Sequence, residues 1–207
     1  VRLSVRGILS VCLLILPASV WAHDLVLTTG YAASEKPSMG TEVSSSDFSS
    51  GGGYVVGVRV DFDASPRIWL APSILYWDNI TGGQSGAENS HYAQVQVGAR
   101  VLVHTWSMPT LYLGAGADFA ATQGVVKAGR VDPYYNKGTV IREFDGEAPV
   151  GILMAGFKGQ APLGLGVLAE VAYQFGLDEP VGKRWVGPAS VILLQIGVFL
   201  RDERSSR

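Results

Sequence analysis

The sequence predicts an all-β protein, an eight-stranded antiparallel up-and-down barrel that crosses a lipid bilayer on its strands. Three observations lead there. Apolar residues alternate with small or polar ones in segment after segment, the period of a strand with two unlike faces. Charged residues make up 16% of the chain and apolar residues 47%, whereas about a quarter of an ordinary globular domain is charged. Finally, no run of roughly 18 apolar residues is present, so a spanning helix has no candidate.

The N-terminus has the layout of a secretory signal, expected over residues 1–22. Arg2 and Arg6 supply positive charge, Gly7 to Leu16 form a short apolar run, Pro17 breaks it, and Val20-Trp21-Ala22 precede a cut before His23. Cleavage leaves residues 23–201 as the barrel domain and 202–207 as a polar tail. It removes two arginines, leaving 14 basic and 18 acidic side chains and a net charge of −4. It also removes Cys12, the sole cysteine, so disulfides, thiolate metal sites and cysteine nucleophiles are excluded. With neither a basic stripe nor a recognition motif, nucleic acid is excluded as a partner.

The strands follow in order. Residues 24–33 open the set. In 54–62, Tyr54, Val56, Val58, Val60 and Phe62 share one face, while Val55, Gly57, Arg59 and Asp61 share the other. Residues 67–77 place Ile68, Leu70, Ile74 and Tyr76 together, with Pro72 awkward in the ladder. In 91–103, Ala93, Val95, Val97, Ala99, Val101 and Val103 oppose Gln94, Gln96, Gly98, Arg100 and Leu102. Residues 111–121 set Leu111, Leu113, Ala115, Ala117 and Phe119 against Tyr112, Gly114, Gly116 and Asp118. Residues 149–158 are apolar on both parities, so their facing stays open. The last two are 163–175 and 190–200. In the first, Glu170 and Gln174 oppose the apolar face; in the second, Gln195, Gly197 and Phe199 oppose Ile192, Leu194, Ile196, Val198 and Leu200.

The connections carry independent information. Short turns are expected at 63–66, 104–109 and 159–162, and long polar loops at 34–52, 78–90, 122–148 and 176–189. This rhythm matches a transmembrane barrel with short periplasmic turns and long extracellular loops. The longest loop holds strand-like stretches on either side of Asp132-Pro133-Tyr134-Tyr135, which suggests a hairpin continuing the fifth and sixth strands. Strands of about 9–11 residues span the hydrocarbon at a tilt near 45°.

Alternation also fits a soluble periplasmic β-barrel that binds a small apolar ligand, with its apolar face turned inward. In that case the polar face should be rich in Lys, Glu, Ser and Thr. Instead it carries Gly, Ala, Gln and isolated charges, which suits the interior of a narrow barrel. Arg59, Asp61, Arg100, Asp118 and Glu170, with Arg201 at the edge, are therefore read as an interior network in which opposite charges neutralise one another. Tyr31, Tyr54, Tyr76, Trp77, Tyr92, Tyr112 and Tyr173 are read as an aromatic girdle at one interface, with Trp69 and Trp106 at the other.

Several segments are similar to a known group. Pro109-Thr110-Leu111-Tyr112-Leu113-Gly114-Ala115-Gly116-Ala117, Leu168 to Phe175, and Leu194-Gln195-Ile196-Gly197-Val198-Phe199 resemble strands of the small eight-stranded outer-membrane barrels of the outer-membrane protein A-like type. The resemblance covers nearly all of the exported chain by pattern. It implies outer-membrane lipids, lipopolysaccharide and the outer-membrane assembly machinery as partners, and no cofactor. Members usually end on an aromatic residue; here Phe199 is followed by Leu200 and the tail.

Some barrels of this kind modify lipid A or phospholipids, so an enzyme is the alternative. A hydrolase needs a nucleophile and a base within hydrogen-bond reach. His91 and His104 are separated by about 40 Å of strand, and His91-Tyr92-Ala93 lacks the serine two residues after histidine that a deacylase of the known kind carries. Asp118 and Glu170 are read as counter-ions of the arginines. Asp47, Asp78, Glu88, Asp145 and Glu147 are read as solvated loop acids, with no metal site assigned. The expectation is a non-enzymatic membrane barrel with a structural, envelope-integrity or surface-interaction role.

Overall fold

The computed structural model describes residues 24–34, 38–39, 51–82, 88–105, 110–128, 136–160, 165–177, 186–187 and 190–201. The expected signal and tail lie outside this set. Eight strands are present: β1 (Asp24–Ser34), β2 (Gly51–Ser65), β3 (Ile68–Gly82), β4 (Glu88–His104), β5 (Thr110–Ala128), β6 (Val140–Gln160), β7 (Leu165–Gly176) and β8 (Ser190–Arg201). Each pairs antiparallel with its sequence neighbours. β1 and β8 close the ring in a register running from Asp24↔Arg201 to Ser34↔Val191. A separate short ladder joins Ser38–Met39 to Val186–Gly187.

Burial follows parity along most of each strand; on β2, however, Val60, expected on the outward face, is buried at 1% exposure between Arg59 and Asp61. On β4, Gln94, Gln96, Arg100 and Leu102 are buried while Val97, Val101 and Val103 are exposed. β6, whose facing was open, buries Ala148, Val150, Ile152, Met154 and Lys158 and exposes Leu153 and Phe157. Lys158 decides this orientation, because the opposite one would turn an ammonium into lipid. Pro72 stays within β3 opposite Ala99. On its other side the ladder to β2 breaks after Arg59↔Ser73 and resumes at Phe62↔Leu70, as a residue without an N–H requires.

The outer surface is apolar: Leu113 is 66% exposed and Ile196 64%. A continuous surface of this kind needs a cover. On β5 the apolar outward row runs from Leu111 to Ala121, about 24 Å along the barrel axis at a 45° tilt. That matches the height of a bilayer core.

The strands are longer than that core requires. β5 has 19 residues and β6 has 21, so most of the stretch expected as a loop at 122–148 is strand. The expected hairpin continuation is present, although residues 129–135 lie outside the described set. Residues 122–128 and 140–147 leave the apolar band, with Gln123, Lys127, Glu143, Asp145 and Glu147 exposed. β7 ends at Gly176, opposite Val150, so β6 rises well past its neighbour. Together β3 to β6 form a wall above one side of the barrel. The three connections at the other end are short: the β2–β3 turn is Pro66-Arg67, and the other two span 105–109 and 161–164.

Candidate functional site

The interior is built in layers from the short-turn end upward. Lys158 on β6 is fully buried, and its Nζ donates to Asp24 Oδ2 and Asp61 Oδ2, both at 2.6 Å. The ammonium also lies 4.4 Å from the Trp69 ring centroid and 4.9 Å from that of Phe199, within cation–π range. Arg201 Nε reaches Asp24 Oδ1 at 3.1 Å. One layer higher, Arg59 Nε donates to Asp61 Oδ1 and its Nη1 to Glu170 Oε2, each at 2.8 Å. The Tyr112 hydroxyl donates to the same Glu170 oxygen at 2.6 Å. A single connected chain thus runs Arg201–Asp24–Lys158–Asp61–Arg59–Glu170–Tyr112.

Arg100 and Asp118 form a separate pair, Nη2 to Oδ2 at 3.2 Å. In the β4–β5 register Arg100 faces Gly116, and Asp118 faces Gly98. A Cβ on Gly116 would collide with the Ala99 carbonyl and the Arg100 side chain, and one on Gly98 with the Ala117 carbonyl and Asp118. Each charge therefore occupies space that a glycine leaves open. Leu75, Leu102, Ile152, Met154, Ala172 and Leu193, all buried, pack together in the lumen beside this pair. A polar layer caps them. Trp77 Nε1 donates to Gln94 Oε1 at 2.5 Å, and Gln94 Nε2 donates to Thr122 Oγ1 at 2.8 Å. Gln96 Nε2 donates to Gln94 Oε1 at 2.6 Å and to Gln174 Oε1 at 2.7 Å.

Four cations and four anions meet in these ion pairs, so the interior is balanced among the described residues. Paired and hydrogen-bonded ions are tolerated in a dry interior where isolated ones are not. The gap beside Arg59, Ser73, Arg100 and Glu170 measures about 10 Å³, the size of one water. Side chains fill the lumen at this level.

Arg59, Asp61, Arg100, Asp118 and Glu170 all lie inside, as does most of Arg201. The aromatic readings need correction. Trp77 is fully buried and Tyr112 is 2% exposed; both point into the lumen, where Gln94 and Glu170 take their polar hydrogens. Trp69 is also interior, stacked on His104 at 3.8 Å between ring centroids. Tyr31, Tyr54 and Tyr173 are exposed on the outer face at 55%, 54% and 46%, and Tyr76 shares their outward parity. The side chain of Tyr92 and the whole of Trp106 lie outside the described set.

Sequence reasoning missed Asp24, Lys158 and the interior role of Tyr112. Parity was the available signal, since Lys158 shares even numbering with Val150, Ile152 and Met154, and Tyr112 with Asp118.

No hydrolytic arrangement comes together among the described residues. His104 sits at the short-turn end with Nδ1 3.1 Å from the Thr105 carbonyl. His91 pairs in the ladder with Ile80 and Val125, toward the other end of the same strand, and its side chain is not described. Asp118 and Glu170 are each engaged by an arginine. Asp78, Glu88, Asp145 and Glu147 belong to strands and not to loops, and Asp47 lies outside the described set. No cluster of three metal-ligating side chains occurs among the described residues.

No family model matches the sequence, and no curated protein matches it either. Solved structures do. Neisserial surface protein A shares 10% identity, with 87% of this chain and 98% of that one covered, at a TM-score of 0.56. A major outer membrane protein from Thermus thermophilus shares 12%, over 86% of this chain and 99% of that one, at 0.49. The attachment invasion locus protein of Yersinia pestis shares 13%, over 87% and 99%, at 0.45. The chain has the closed, all-antiparallel eight-stranded fold of the small outer-membrane barrels.

Proposed function

We propose that this barrel is exported through a cleaved signal at residues 1–22 and resides in the outer membrane of a Gram-negative bacterium. There it acts without catalysis, supporting the envelope and presenting the β3–β6 wall at the cell surface. The observation carrying this reading is the inside-out distribution of polarity: ion pairs fill the lumen while the apolar residues face outward. Water has no place on that outer face, and lipid does. Closure pairs every strand on both sides, as a bilayer core demands.

Outer-membrane lipids and lipopolysaccharide are the proposed surroundings, and the outer-membrane assembly machinery the proposed route. Phe199 points into the lumen beside Lys158 and Arg201, so the outward residues available to that machinery on β8 are Leu200, Val198 and Ile196. Fractionation tests the membrane reading: the chain should stay with the outer membrane, need detergent for release, and migrate faster on gels before heating. Recovery in the soluble periplasmic fraction would sink it. Lipid A mass spectra test the non-catalytic reading and should be identical with and without the protein. A mass change lost on His91→Ala would overturn it in favour of a lipid-modifying enzyme.

A further inference from the structure

Four strands contribute one inward row at a single level of the lumen. Arg59 on β2 is opposite Ser73 on β3, Ser73 is opposite Gly98 on β4, and Gly98 is opposite Asp118 on β5. Arg59, Ser73, Arg100 and Asp118 are each between 3% and 5% exposed. Yet Arg59 Nη2, Ser73 Oγ, Arg100 Nε and Asp118 Oδ1 make no hydrogen bond to the protein. Asp118 Oδ1 overhangs Gly98, where a Cβ would collide with it, so the carboxylate leans across β4 toward Ser73. Arg59, Ser73 and Arg100 also line the gap of about 10 Å³, together with Thr28 and Glu170. Buried polar atoms in native proteins are met by protein or by ordered water, and a gap of this size with polar walls accommodates one water.

We infer that this gap is a binding site for a single water molecule, which joins the two ion networks of the lumen. The inference needs only the interior of the barrel and holds whatever surrounds the outer face. Such a water accepts from Arg59 Nη2 and Arg100 Nε and donates to Ser73 Oγ, the three partners typical of internal water. Glu170, also beside the gap, is placed to take its second hydrogen. The Ser73 hydroxyl keeps its own hydrogen for Asp118. Arg59 belongs to the chain running from Arg201 to Tyr112, and Arg100 to the separate pair with Asp118. The water therefore makes them one network, with Ser73 at the junction. An anion is a poorer occupant. Each guanidinium already has a carboxylate, so a further negative charge would be uncompensated, and a halide is larger than the water this gap admits.

Nuclear magnetic resonance of the purified protein in detergent tests the site through the Arg100 Nε proton. The wild type should show a nuclear Overhauser contact from that proton to a water of long residence. Ser73→Ala should keep the contact, because the two guanidinium donors still hold the water and no hydroxyl remains at position 73 to relay the signal. Ser73→Val should lose it, because its methyl groups occupy the gap. The heat-dependent gel shift shows which variants have closed into barrels. Absence of the contact from the wild type, its loss in Ser73→Ala, or its survival in a closed Ser73→Val barrel would overturn the site. If Ser73→Val does not close, the first two measurements decide alone. Crystals grown in bromide supply a second arm: the gap should show no anomalous scattering, and a bromide bound there would assign the site to an anion and overturn the water.

Discussion

Replacing Lys158 by methionine keeps most of the side-chain volume but removes the cation between Asp24 and Asp61. Each carboxylate retains one arginine partner, at 3.1 Å and 2.8 Å respectively, so neither is abandoned, yet two like charges then face each other. Breaking a buried ion pair costs about 3–5 kcal/mol. Lys158→Met should therefore lower stability by about 3 kcal/mol, measured by urea unfolding in vesicles. Restoring neutrality with Asp61→Asn in the same chain should recover part of that loss. Gly116→Val belongs to the same scale: it drives a side chain into Arg100 and the Ala99 carbonyl. Overpacking of this kind costs about 1–3 kcal/mol, read by the same assay. The facing of most residues was legible in the sequence because parity needs no knowledge of neighbours. Trp77 and Tyr112 were misplaced although their parity pointed inward. A membrane interface and a narrow lumen both accept large amphipathic rings, and only the strand register reveals Gln94 and Glu170 as their partners.

The strands themselves were visible from alternation, and the short turns from their composition, but the strand ends were not. Alternation weakens where β5 and β6 leave the bilayer, since outward positions such as Gln123, Glu143 and Asp145 turn polar and both faces then resemble a loop. Backbone pairing continues regardless, as the matches from Gln123↔Asp145 to Val126↔Arg142 show. Near the hairpin tip, the Thr139 N–H donates to the Asn136 carbonyl at 3.0 Å, and Gly138 adopts φ 85°, a left-handed conformation suited to glycine. Orientation is the testable property at this scale. Residues 23–207 hold no cysteine, so Lys137→Cys and Ala64→Cys each supply the one thiol of that stretch, and both native residues are exposed. A membrane-impermeant maleimide should label position 137 on intact cells and position 64 only after the outer membrane is opened. The reverse pattern would invert the assigned topology.

At the scale of the whole barrel, the side chains that meet across the described lumen imply that it is closed. Arg59, Tyr112 and Glu170 meet across it, and the Trp77–Gln94–Gln96–Gln174 layer covers the level above. Purified protein in planar bilayers should show no sustained open state of the kind a water-filled porin gives. Stable conductance steps from wild-type protein would show that the packed layers leave a path. That such a network exists was legible from isolated charges of both signs on the inward parities. Its connectivity was not, because Lys158 meets Asp24 and Asp61 from strands distant in sequence, and closure alone brings them together.

The pairing of Asp24 with Arg201 has a consequence for how the chain may be cut and rejoined. The first and last strands end side by side at the short-turn face, so a linker of a few residues can connect them without reaching across the lumen. A ring of strands has no intrinsic beginning, and surface loops are where new termini are best tolerated. A circular permutant joined there and opened between Gly82 and Glu88 should close into the same barrel, with its heat-dependent mobility intact. The original ends would then be just another hairpin.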